Sequence, residues 1–434
     1  MGMELLNVNI GLLGCGTVGA SLCKLIDEQS EAIAERTGLK LDVVMVAVRN
    51  VSQSRDVPID PSLFTDDSNS VIESPDVDVV VEVMGGIDPS KDLIVKALAL
   101  GKPVVTANKE LLAVHGDELY SLAKQSEVDL LFEAAVAAAI PIIRPLRESL
   151  AGEPITRVMG IVNGTTNFIL TKMTEENMPY LDALDEAQKL GYAESDPTAD
   201  VEGHDAAAKA AIIASFAFGG QVTLSDVHVE GITKITPEDI DFANRLDHCI
   251  KLLAIAEKQK NDGEDSLCVR VHPSMVPLTH PLATVRESFN AIFVEGDAMG
   301  ELMFYGRGAG GAPTASAVLG DLIDASCNLK RSNSAAIGEF KPMKISPIAD
   351  LESQYFLEVE VDDQSGVLAQ VATVFGEHHV SIRSMEQEGL DKEARLIFIT
   401  HKAFESNLQA AIEALNLLEA VRSVGTVLRV IGID

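Results

Sequence analysis

Tryptophan is absent from this 434-residue chain, and aromatic residues make up only 4% of it. Base-stacking recognition of single-stranded nucleic acid depends on such rings, so that class of function is disfavoured. Basic residues are scarce as well. Lys and Arg number 34 against 66 Asp and Glu, a formal net charge of -32. A field of that sign repels nucleic acid and anionic lipid at long range, and an anionic cofactor would need backbone N–H groups and a few placed cations. The five cysteines, Cys15, Cys23, Cys249, Cys268 and Cys327, are scattered and show no C-x-x-C spacing. That pattern argues against a disulfide framework and against a zinc site. No apolar run approaches the roughly 18 residues of a membrane span. The start, MGMELLNVNIGLLG, lacks the basic stretch and cleavage site of a secretory signal. The expectation is a soluble cytoplasmic protein with no nucleic-acid or membrane partner, its length sufficient for two or three domains.

What is present begins at the N-terminus. The apolar run NVNIGLL reads as a strand and leads directly into Gly14-Cys15-Gly16-Thr17-Val18-Gly19, after which a helical pattern runs to about Gly38. A G-x-G-x-x-G between strand and helix is the dinucleotide-binding arrangement. Its first glycine permits the turn, the second lets backbone approach a diphosphate, and the third lets helix pack on strand. Gly14, Gly16, Thr17, Val18 and Gly19 are therefore candidate cofactor contacts, with the helix N-terminus offering N–H groups to phosphate. The second strand, LDVVMVAV, ends at Arg49 rather than at an acid. A guanidinium there pairs with a 2′-phosphate, so NADP is expected, with NAD as the alternative. Apolar segments VDVVVEVMGG (77–86), PVVTAN (103–108) and VDLLFEAAV (128–136) then alternate with helical ones. That rhythm predicts a parallel sheet covered on both faces, with ligands beyond its carboxyl edge. Lys109 opens one of these helices, where a cation opposes the macrodipole unless an anion lies nearby.

From Ile140 the texture changes. ITRVMGIVNGTTNFILTKM reads as strands broken at Asn163-Gly164, followed by a long helix through Gln188. His272-Pro273 and His280-Pro281 read as loops with structural or surface histidines. The segment AQKLGYAESDPTADVEGHDAAAK (187–209) is the richest in chemistry, bringing Glu194, Asp196, Asp200, Glu202 and Asp205 ahead of Lys209. Asp205 and Lys209 are four apart and share one face of a helix too apolar for a solvated surface. A buried structural ion pair and a pocket that binds an amino acid and moves a proton both fit this pattern. A second glycine cluster, FYGRGAGGAPTASAVLGDLIDA (304–325), opens another helix, and residues 328–350 are polar and read as a linker. The tail repeats strand and helix as βαββαβ, a ferredoxin-like unit. The expected organisation is α/β: a Rossmann-type nucleotide-binding domain over 1–140, to which the chain returns at about 305–327. An α+β substrate and dimerisation domain over 141–304 and the tail over 351–434 complete it.

Segment 187–209 resembles the signature of homoserine dehydrogenases, with Ala187, Gly191, Asp196-Pro197, Asp200, Gly203, Asp205 and Lys209 in register. The likeness extends through GCGTVG, TANKELLAVHG, VNGTTNFIL, RVHPSMVPLTHPLA and the second glycine cluster, over residues 5–345, while the tail is similar to an ACT domain. With the sequence opening almost at once on its first strand, a monofunctional form without a kinase-like segment is expected. The resemblance implies NAD(P)-dependent interconversion of L-aspartate 4-semialdehyde and L-homoserine on the route to threonine, methionine and isoleucine, with threonine as feedback effector. It assigns proton transfer to Lys209 with Lys109 at the cofactor–substrate junction. Substrate binding falls to Glu194 and Asp205, with Asp200 in the same acidic cluster. Gly191 and Gly310 match positions near the cofactor. Glu133, Val136, Ala138 and Ile140 match a sodium site formed mostly by backbone carbonyls. A homodimer or homotetramer is expected. Ser365-Gly366 departs from the family's Pro-Gly in the tail, which bears on effector affinity. A sensor that binds NADP and an amino acid without turnover, and a dehydrogenase of another short amino or hydroxy acid, are the rival readings.

Overall fold

The computed structural model describes residues 5–261, 264–331, 333–334, 340–390 and 393–432. The chain forms two compact units. One holds the chain up to Val158 together with Ala208–Ser225 and Asn290–Met343; the other holds Met159–Ala207, Asp226–Phe289 and Lys344 onward.

The first unit is built on six strands: β1 (Leu6–Leu13), β2 (Leu39–Ala47), β3 (Phe64–Thr65), β4 (Val79–Glu82), β5 (Val104–Thr106) and β6 (Leu130–Leu131). All pair in parallel, in the order β3-β2-β1-β4-β5-β6, which is that of the doubly wound dinucleotide fold. Val79, Val80 and Val81 are fully buried, as a strand covered on both faces requires. The helix Gly311–Arg331 returns to this sheet, packing Ala315, Val318, Leu319, Leu322 and Ala325 into the core that holds Ile10, Leu12, Leu22 and Val81. It continues to Arg331, past the point at which a linker was expected. The helix expected to run unbroken to Gly38 is two, Thr17–Glu28 and Ser30–Thr37, separated at Gln29. The strand expected over 77–86 is only Val79–Glu82, because the Glu82 carboxylate bends the chain by accepting the N–H groups of Met84 and Gly85.

In the second unit, strands His248–Asn261 and Glu264–Pro277 pair antiparallel along their whole length. His272 and Pro273 therefore lie inside a strand, not in a loop. His272 is fully buried. Arg270 Nε donates to its Nε2 at 3.2 Å, which places the ring proton on Nδ1, 3.0 Å from the Pro273 carbonyl. Burial and the guanidinium groups of Arg429 and Arg270 hold this imidazole well below its ordinary pKa, so it stays neutral. His280 caps the short helix Pro281–Thr284. Asn163-Gly164 does not break a strand; Asn163 caps the helix Gly164–Glu176. That helix ends on Asn177 in the left-handed region, and Pro179 starts a second helix, Tyr180–Lys189, so the expected long helix is divided.

The tail has the βαββαβ order, with strands Glu352–Asp362, Ile382–Leu390, Glu393–Thr400 and Val421–Val430 and helices Val367–Glu377 and Glu405–Leu415. Tyr355, Leu357, Phe375, Phe398 and Leu408 fill its core. It is not packed as a separate body. Its last strand pairs in parallel with Glu264–Pro277 through Ser274–Arg429 and Met275–Val430. Among the described residues no helix is long and apolar enough to cross a membrane.

Candidate active site

The nucleotide half lies at the carboxyl edge of the six-stranded sheet. Gly14 follows β1 with φ +99, where a side chain would be strained. A Cβ at Gly19 would fall 2.3 Å from the Gly14 carbonyl oxygen, so helix and turn meet only because no side chain intervenes. Around Gly16 the opposite holds: a Cβ would meet nothing within 4 Å, and Gly16 and Thr17 are exposed. The helix Thr17–Glu28 starts there with no side-chain cap, leaving its first N–H groups for a ligand. This is the room and the donor set that a diphosphate needs. Gly19→Ala is expected to force helix and turn apart, costing about 1–3 kcal/mol and most of the dinucleotide affinity; thermal melting and NADPH fluorescence titration would measure both.

Arg49 is exposed just beyond β2. Arg55, not anticipated from the sequence, folds back to donate to the Gln53 and Asn50 carbonyls at 2.9 and 3.1 Å and lies over the Phe64 ring. A hydrogen bond from Cys23, aided by the Arg55 charge and opposed by burial, lowers the Cys15 thiol to about 7. Arg55 thus adds positive potential to the glycine turn.

Lys109 opens the helix Lys109–Gln125, directly after Asn108. A buried network holds this corner. Glu82 accepts the Thr106 hydroxyl at 2.6 Å, and the Thr106 oxygen accepts the Asn108 N–H at 3.0 Å. Asn108 caps the helix through Leu111 N–H and donates to the Gly86 carbonyl at 2.6 Å. Glu82 was legible only as an acid ending a run of valines, a buried charge in need of partners. The second glycine cluster is equally constrained: a Cβ at Gly308 would fall 1.9 Å from Asn290 Nδ2, and one at Gly311 2.8 Å from Ser21 Oγ. Gly310, at φ +115, is exposed beside them.

At the proposed sodium position, Glu133 is buried and its carboxylate accepts the N–H groups of Ile142, Ile143 and Arg144. Its own N–H donates to Asp321 at 2.7 Å. Burial and the neighbouring Glu133 charge push Asp321 up to about 7 despite Arg144. Val136 lies in the turn Ala134–Ala137, Ala138 has φ +46 and Ile140 is buried. Among the described residues no cluster of three His, Cys, Asp or Glu side chains could hold a metal.

The amino-acid half centres on segment 187–209. Gly191 turns the chain after the helix Tyr180–Lys189 with φ +76, and the Tyr192 carbonyl accepts the Thr165 hydroxyl at 2.6 Å. Gln188 holds the Glu194 carbonyl at 2.9 Å, leaving the Glu194 side chain exposed. Asp200 lies on the short helix Thr198–Val201 and Asp205 in the first turn of His204–Phe218; Gly203, at φ +84, turns between them. Asn163 brings these two acids together, its Nδ2 donating to Asp200 Oδ1 at 2.7 Å and to Asp205 Oδ2 at 2.9 Å. No reading of the sequence singled out Asn163, although an Asn ahead of a helical run is a capping signal. One turn beyond Asp205, Lys209 is 8% exposed among Ala206, Ala207, Ala208, Ala210 and Ala211, all buried. The helix buries every side, as its apolar sequence demanded. Asp196 is spent locally on the Thr198 hydroxyl and N–H.

A dinucleotide turn serves hydride transfer, and carboxylates beside a buried lysine suit a polar substrate whose oxygen gains or loses a proton. Each is a feature of a nicotinamide-dependent oxidoreductase acting on a CH–OH group. Known proteins narrow the class. Family descriptions match in three places: "Homoserine dehydrogenase, NAD binding domain" over residues 14–133, "Homoserine dehydrogenase" over 141–323 and "ACT domain" over 355–419. A homoserine dehydrogenase of Corynebacterium glutamicum is 51% identical over 97% of this chain and 95% of its own. The crystal structure of one from Thiobacillus denitrificans superposes with a TM-score of 0.93 at 36% identity, covering 100% of both chains. A hyperthermophilic archaeal homoserine dehydrogenase mutant in complex with NADPH gives 0.63 at 31% identity, over 75% of this chain and 98% of that one. The chain belongs to the homoserine dehydrogenase family.

Proposed function

We propose that the chain reduces L-aspartate 4-semialdehyde to L-homoserine, reversibly, with NADP(H) as the preferred cofactor, on the route to threonine, methionine and isoleucine. The observation that carries the reading is the pair Asp200 and Asp205, held on one amide, with Asp205 a helical turn before buried Lys209. The bound dinucleotide supplies the hydride that reaches the aldehyde carbon. The chain's own groups do the rest. Lys209 gives the carbonyl oxygen its proton in reduction and takes it back in oxidation. Asp205, with Asp200 and Glu194, holds the substrate ammonium. Lys109 orients the substrate where it meets the cofactor. The uncapped helix after Gly16 holds the diphosphate, and Gly191 and Gly310 leave room beside the cofactor.

Arg49, where an NAD-selecting site would carry an acid, supports NADP, as does the archaeal relative crystallised with NADPH. Arg49→Asp is expected to lower kcat/KM for NADPH by roughly 10–100-fold, the worth of a charged hydrogen bond, with NADH much less affected. A parallel change with both cofactors would exclude Arg49 from the choice. The donor set near Glu133 suits a monovalent ion such as sodium. Three of about four acceptor directions on that carboxylate are taken, so main-chain oxygens of Val136, Ala138 and Ile140 would supply most ligands. Such an ion would stiffen the turn and takes no part in bond making.

The division into a nucleotide part (1–140 with 305–327), a substrate and dimerisation part (141–304), a linker (328–350) and a regulatory tail (351–434) is one of labour rather than of packing. Threonine is the effector we assign to the tail, a homodimer or homotetramer the assembly, and the cytoplasm the place of work. The deciding experiment follows NADPH absorbance with L-aspartate 4-semialdehyde, with and without threonine. Steady oxidation supports the reading. No turnover by folded protein overturns it, and indifference to threonine removes the effector assignment alone.

A further inference from the structure

We infer that Asn163 is a positioning residue that sets the geometry of the Asp200–Asp205 pair; the inference rests on the reading of those acids as the grip for the substrate ammonium. Asn163 is 5% exposed and all of its amide is in use. Its Oδ1 accepts the Thr166 N–H at 2.9 Å and the Thr166 hydroxyl at 3.0 Å. A backbone N–H is only ever a donor, so the oxygen must face the helix and the NH2 must face the acids. The two N–H bonds then go one to each carboxylate.

An amide at this position supplies two N–H groups from one nitrogen while its oxygen caps the helix, so the spacing of the two carboxylates is tied to the helix start.

Its location is rigid. Asn167, one turn on, donates to the carbonyls of Glu287 and Phe289 at 2.9 and 3.2 Å, and buried Lys251 donates to its oxygen at 3.0 Å. A Cβ at Gly164 would meet the Ser288 carbonyl oxygen at 2.7 Å, so the helix start is pressed against that loop. The amide is fixed from the helix side, and the acids take their places from it.

Two variants separate positioning from capping. Asn163→Ser retains an oxygen for the Thr166 N–H but loses the paired donors; Asn163→Ala loses both. Positioning predicts that both raise the KM for homoserine roughly 10–100-fold, with kcat falling by less than KM rises. NADPH affinity stays at the parent value in both, and the melting temperature of Asn163→Ser stays close to it. If Asn163 only caps the helix, Asn163→Ser keeps the parent KM and only Asn163→Ala suffers, chiefly in melting temperature; that result overturns the inference. An active parent with unaltered variants overturns this inference alone, whereas a parent without turnover overturns the functional reading and this one with it.

Discussion

Replacing Lys209 with alanine is expected to reduce kcat by roughly 10²–10⁴-fold, the span attributed to a positioned general acid, while NADPH still binds. Lys209 is 8% exposed, among buried alanines of the same helix. The backbone should tolerate the change, since alanine is the strongest helix former and the surrounding sequence is already alanine-rich. Pre-steady-state mixing with NADPH and L-aspartate 4-semialdehyde would read the chemical step, and fluorescence titration would read cofactor binding. Loss of the step with binding retained places Lys209 at the reacting oxygen. A rate within about tenfold of the parent, below the range for general acid catalysis, would remove it from that role.

Arg429→Ala is expected to cost about 3–5 kcal/mol of stability, because it breaks a buried ion pair and leaves the partner charge behind. Arg429 donates through Nε and Nη2 to the two oxygens of Glu405, both bonds at 2.9 Å, and the two residues are 6% and 4% exposed. Its Nη2 also lies 2.9 Å from Glu230, which lies outside the tail. Burial would raise the Glu230 carboxyl, but hydrogen bonds from His228 and Arg429 and the Arg429 charge outweigh it and hold the group well below its ordinary range. A depressed carboxyl contributes stability above its unfolded pKa of about 4.3 and loses it as pH falls toward the folded value. The parent should therefore weaken below about pH 4, and Arg429→Ala should show a shallower acid dependence. Urea titrations at pH 7 and pH 3.5 would test both parts.

The same geometry changes how regulation should be studied. Read from the sequence, the tail over 351–434 stands behind a linker as a unit of its own. In the structure its last strand continues the pairing of Glu264–Pro277, Ile431 N–H donates to the Met275 carbonyl at 2.9 Å, and Thr426 donates to Asp239 at 3.0 Å. Arg245 pairs with Glu388. Cutting the tail away would bare a strand edge and leave Glu230 without Arg429, so a silent truncation would report damage rather than lost regulation. Point changes in the exposed turn before Gly366 are the better instrument.

Much of this protein was legible without coordinates because the relevant physics is local. The glycine spacing after Leu13, the valine runs of the parallel strands, Lys109 at a helix start and the Asp205–Lys209 pair all depend on neighbours within a few positions. So does the βαββαβ rhythm of the tail. Boundaries moved where a side chain intervened. Glu82 shortened its strand by taking backbone N–H groups, and Asn177 with Pro179 divided the helix after Gly164. What only the tertiary structure decided are the contacts between distant positions. Asn163 reaches Asp200 and Asp205 across 37 and 42 residues, Glu82 meets Thr106 across 24, and Arg429 meets Glu230 from the far end of the chain. A buried polar group must find a partner somewhere, and sequence announces that need. Which partner answers is settled by how the strands and helices stack, and that is a property of the fold.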